Sequence, residues 1–98
     1  MPFEIWPGES PGVYVLEGDL DVSTVAHLDE IPTVMDRTLV LDVERLTFID
    51  SSGLRAVLRL ALERDDEHPV VLRKPSRPAQ RLLGMTVPDG APGLQIED

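Results

Sequence analysis

Phe48-Ile49-Asp50-Ser51-Ser52-Gly53-Leu54 lies where one periodicity gives way to another. Before it, Thr38-Leu39-Val40-Leu41-Asp42-Val43 is a nearly continuous, β-branched apolar run, which predicts a strand buried on both faces. After it, Leu54, Val57, Leu58, Ala61 and Leu62 recur at i, i+3, i+4, i+7 and i+8. That spacing makes a single apolar stripe on a helix, which His68-Pro69 would end. A small polar segment between a strand and a helix has a physical task. The first N–H groups of a helix lack internal partners, and Asp or Ser side chains can accept from them. By chemistry alone Asp50, Ser51 and Ser52 read as caps, and Gly53 as a place where another backbone comes close.

Working outward toward the amino terminus, Phe3-Glu4-Ile5-Trp6 alternates like a half-buried strand. Trp6 is expected in the core, as tryptophan is highly buried on average. Pro7 to Gly12 is turn-rich, and Val13-Tyr14-Val15-Leu16 predicts a second strand paired as a hairpin, ended by Gly18-Asp19-Leu20-Asp21. Ser23 or Thr24 then caps a helix carrying Val25, Leu28 and Ile31, which kinks or restarts at Pro32. Toward the carboxyl terminus, Val70-Val71-Leu72 is a buried strand, and Ser76 or Pro78 opens a short helix through Gly84. Gly93-Leu94-Gln95-Ile96 forms an edge strand. Strands alternating with helices predict an α/β fold: a small, mixed, mostly parallel sheet of four to five strands with helices packed on it. Residues 1–98 read as a single domain.

Composition narrows the function. Hydrophobic residues at 42% supply one modest core, and no apolar run reaches membrane-spanning length. The amino terminus lacks the basic segment and cleavage site of a secretory signal, so a cytoplasmic protein without membrane insertion is expected. There is no cysteine, which removes disulfides and thiolate chemistry, and no histidine pair has metal spacing. No cofactor or metal is expected. A net charge of -9 disfavours direct nucleic-acid binding. Met1 to Asp36 holds eight acidic residues and no basic one, either a solubilising surface or a field that steers a basic partner.

Enzyme readings fare poorly. Asp50-Ser51-Ser52-Gly53 is not a Gly-x-Ser-x-Gly elbow. His27 and His68 read as exposed helix or loop residues. A phospho-aspartate receiver would use Asp42 or Asp50, but Glu4 is the only acid in the first strand and Lys74 the only lysine. Beside the cap reading stands a sharper one, a phosphate on Ser52. Free N–H groups and the positive helix end favour an anion there, and Arg55 and Arg59 follow on roughly the same side, as phosphate or carboxylate partners or as plain helix surface.

At this point the residues resemble a known family. Gly18-Asp19-Leu20-Asp21, then Leu41-Asp42-Val43 and Phe48-Ile49-Asp50-Ser51-Ser52-Gly53-Leu54, are similar to the two signatures of STAS domains of the anti-sigma factor antagonist type. The resemblance runs nearly end to end, departing at Pro32 and in the irregular stretch from Met85 to Gly93. It implies a partner switch, not an enzyme. The unmodified domain binds an anti-sigma factor that is also a serine kinase, phosphorylation of Ser52 releases it, and a serine phosphatase restores binding. Asp19, Asp21, Asp50, Ser51, Gly53 and Arg55 would line the partner-facing end. The resemblance also admits scaffolds or subunits of stress-signalling or lipid-transport complexes without sigma-factor control.

Overall fold

The computed structural model describes residues 2–32 and 36–98. Strands β1 (Glu4–Pro7) and β2 (Val13–Leu20) form the expected antiparallel hairpin. Its loop is closed by the Gly8 N–H donating to the Val13 carbonyl at 2.7 Å. Then follow a 3-10 helix (Val25–Glu30), β3 (Leu39–Ile49), α1 (Ser51–Leu62), β4 (Val70–Arg73), α2 (Arg77–Thr86) and β5 (Leu94–Glu97). The strands lie in the order β1-β2-β3-β4-β5, with every pair after the first parallel. This is the mixed, mostly parallel sheet the alternation of elements predicts.

The core lies between the sheet and the helices. Leu16 and Leu20 of β2, Leu39 and Leu41 of β3, Val57 of α1 and Val70 of β4 are almost completely sealed. Each such side chain contributes about 1.5–3 kcal/mol relative to exposure. The helical crossovers join neighbouring strands, so α1 and α2 lie on one face of the sheet with the same sense.

Four expectations need correcting. β3 is not buried on both faces: Leu39, Leu41 and Val43 face the core, while Val40 and Asp42 point away and are only half-buried. The helix-free face carries an ion cluster instead, in which Arg73 reaches Glu9 at 3.1 Å and Asp42 at 3.2 Å. The first helix is a 3-10 segment that buries Leu28 and stops at Ile31. Thr24 is its N-cap, yet the hydroxyl makes no cap bond and donates instead to the Asp19 carbonyl at 2.7 Å. A restart past Pro32 would fall on residues 33–35, outside the described residues. The α1 stripe is rotated: Ala56 and Leu60 are buried with Leu54, Val57 and Ala61, whereas Leu62 is 78% exposed and ends the helix. Trp6 is half-buried, with the Arg45 guanidinium 5.9 Å from its ring. That arrangement keeps one ring face beneath a cation at the sheet edge.

Candidate functional site

Parallel pairing brings the carboxyl ends of β2 and β3 side by side, with Asp19 opposite Phe48 and Leu20 opposite Ile49. The chain then turns into α1 at Asp50, whose own N–H donates to the Leu20 carbonyl at 3.4 Å. Asp50 is the N-cap: its Oδ1 accepts from the Gly53 N–H at 3.0 Å. A carboxylate here satisfies an orphan donor and faces the positive helix end. Of the three expected caps, only Asp50 performs the task. Ser51 is exposed and Ser52 half-exposed. Among the described residues neither hydroxyl has a hydrogen-bond partner.

Gly53 explains why this corner is tight. A Cβ built there would collide with the Leu20 carbonyl oxygen and stand 3.0 Å from Ile49 Cγ1. The absent side chain lets the first turn of α1 rest on the end of β2. It thereby draws Asp19 and Asp21, the residues on either side of Leu20, to the same edge as Asp50, Ser51 and Ser52.

Both acids are held in place. The Thr47 hydroxyl donates to Asp19 Oδ1 at 2.6 Å, and Asp21 Oδ1 accepts from the Ser23 hydroxyl at 2.6 Å and its N–H at 2.9 Å. The Thr47 hydroxyl holds the Asp19 carboxyl below the ordinary carboxylate range, and Ser23 does the same for Asp21. These bonds favour the ionised form, so both are negative at neutral pH. Arg55 stands exposed on α1 one turn beyond Ser52, and Arg59 one turn further.

The structure thus gathers Asp19, Asp21, Asp50, Ser51, Ser52 and Gly53 at one end of the sheet, with Arg55 at its margin. Two apolar neighbours were not expected as site residues: Phe48, 46% exposed, and Val22, 75% exposed. A third is Thr47, which anchors Asp19. Following β3 to Ile49 would have brought Thr47 and Phe48 to the strand's end beside Asp19, although alternation alone sends these two neighbours to opposite faces. The alternation slips near Glu44 and Arg45, both exposed, where the pairing with β2 shifts register.

The histidines lie elsewhere. His27 sits on the 3-10 helix, its ring 5.8 Å from that of Phe3, and His68 contacts Asp65 in the α1–β4 loop at 3.2 Å. No group of three or more possible metal ligands occurs among the described residues, and none of their helices is long and apolar enough to cross a membrane.

A five-stranded mixed sheet with helices on one face, and a close-packed Ser-Ser-Gly turn at its carboxyl edge, define a small α/β binding domain of the STAS class. The family model described as "Mlab, STAS domain" matches residues 7–90, and the chain belongs to that STAS domain family. STAS domains are as a rule binding modules without enzymatic activity. No curated protein matches the chain.

Proposed function

We propose that this STAS domain is an anti-sigma factor antagonist, working in the cytoplasm as a binding partner and phosphoacceptor and not as a catalyst. In the unphosphorylated state its β2–β3–α1 edge docks on a kinase-type anti-sigma factor. Phosphorylation of Ser52 breaks the complex, and a serine phosphatase restores it. The observation that carries this reading is the division of labour at the start of α1. Asp50 does the capping, which leaves the half-exposed Ser52 hydroxyl free to be modified without loss of a structural bond.

The charges set the direction of the switch. A phosphoserine adds about -1.5 to -2 charge beside Asp50 and near the ionised Asp19 and Asp21. The unpartnered N–H groups of the first helical turn favour that anion in the free domain. In a complex the same dianion is desolvated among carboxylates, which disfavours docking. A loss of about 3 kcal/mol corresponds to roughly a hundredfold in affinity. Phe48 and Val22 supply the apolar part of the contact.

Incubation with a kinase-type anti-sigma factor and ATP, read by intact mass, tests the proposal. The expected result is one added phosphate on the wild type and none on Ser52→Ala. Ser52→Asp weakens the complex and Ser52→Ala preserves it. Equal binding by the two variants removes the charge mechanism. The family match supports a STAS-type scaffold generally and so admits a second reading, in which the same edge seats the chain in a stress-signalling or lipid-transport complex without sigma-factor control. Under that reading the anti-sigma kinase neither binds nor modifies the chain.

A further inference from the structure

The outer surface of the helical layer has a composition unlike the rest of the molecule. All eighteen acidic residues lie outside α1 and α2, which carry Arg55 and Arg59, and Arg77 and Arg81, as their only charges. All four arginines are exposed, and among the described residues none has an ion pair. Each helix repeats one pattern on its outward stripe. Arg55, Arg59 and Leu62 fall at i, i+4 and i+7, and Arg77, Arg81 and Met85 at i, i+4 and i+8. Leu62 is 78% and Met85 72% exposed, while Leu58 and Leu82 behind them only partly join the core. Like charges at i, i+4 slightly disfavour an isolated helix. Asp29 and Glu63 border Arg59 from the groove beside α1, but within α1 and α2 themselves the two pairs have no acid, and each ends on an exposed large apolar residue, which marks a surface built for something outside the chain.

We infer that the outward face of α1 and α2 is a docking surface for an acidic amphipathic helix of a partner protein. The charge requirement is complementary: carboxylates opposite Arg55, Arg59, Arg77 and Arg81, and apolar side chains over Leu62 and Met85. A twelve-residue α1 is about 18 Å long, the length of a three-turn helical segment laid along it. Such a helix presents carboxylates and apolar anchors at the same one-turn spacing. A second copy of the chain is disfavoured because each copy carries -9, and an anionic bilayer is disfavoured because the remaining surface repels it. The surface begins a turn beyond Ser52 and does not depend on its modification.

The test uses the full, isotope-labelled chain and a synthetic helical peptide of about 14 residues, roughly four turns, with leucines on one face and glutamates flanking them. Amide shifts are expected to saturate and to map to Arg55, Arg59, Leu62, Arg81 and Met85, with affinity falling as salt is raised. Arg59→Glu combined with Arg81→Glu is expected to weaken binding by about tenfold or more while circular dichroism stays unchanged. Leu62→Ser with Met85→Ser weakens it independently of charge, and a peptide with lysines for glutamates does not bind. Absent shifts at millimolar peptide, shifts that map elsewhere, or equal binding by the charge-reversed variant would overturn the inference. So would capture by phosphatidylglycerol vesicles in place of the peptide, which would assign the face to a membrane surface.

Discussion

α1 and α2 leave the sheet by the same route, each following a parallel strand and each capped by a side chain that accepts from the N–H three residues on. They then differ at every position of the first turn. In α1 the cap is Asp50, at 3.0 Å from the Gly53 nitrogen; in α2 it is Ser76, at 3.4 Å from the Ala79 nitrogen. At the third helical position α1 has Gly53, pressed on the end of β2, and α2 has Ala79, buried with its methyl accommodated. Serine is structural at one start and spare at the other. An exposed serine near a helix start is therefore a plausible switch only where something else already caps the helix.

The comparison can be broken most forcefully at the third position. Gly53→Ala forces a methyl group into the Leu20 carbonyl and is expected to cost about 3 kcal/mol or more. Ala79→Gly should cost only about 1 kcal/mol. Urea denaturation of both variants checks the ranking, and a mild Gly53→Ala would show that α1 can lift off β2 freely. The caps come next. Asp50→Ala is expected to lose about 1–2 kcal/mol and Ser76→Ala about 0.5–1 kcal/mol, since Asp50 has the shorter bond and a charge facing the helix end. Equal losses would remove the electrostatic part of the distinction.

A smaller effect should appear in acid. The folded state holds Asp19 and Asp21 below the ordinary value of 3.8, so their contribution is present above that value. It is lost as pH falls through the depressed folded values. Amides at Ser23 and Thr47 should report this loss below pH 3.8, before the start of α2 responds. Smallest of all, Ser52→Ala should shift stability by no more than about 0.5 kcal/mol. A larger loss would mean that the hydroxyl has structural work after all.

Much of this was legible in residue order. The hairpin, the parallel strands and the turn at Asp50 follow from β-branched runs, from Pro and Gly placement and from the change of period. The site was readable as a motif, but the reason for Gly53 was not. It depends on β2 and β3 being neighbours in register, a long-range fact that no local window contains. Leu62 fits the i, i+4 spacing from Leu58 yet faces outward, because α1 sits on the sheet through Ala56 and Leu60 and the small alanine permits that rotation. The outer half of β3 was lost for a related reason, since a register slip near Arg45 breaks the alternation by which strands are recognised.

The sheet has one more property. Every strand is hydrogen-bonded only to strands adjacent to it in the chain. No strand has to be threaded between two others, and each new one adds to the open edge left by its predecessor. Assembly can therefore keep pace with emergence from the ribosome, amino terminus first. The Asp50–Gly53 corner can settle on Leu20 before β4 and β5 have emerged.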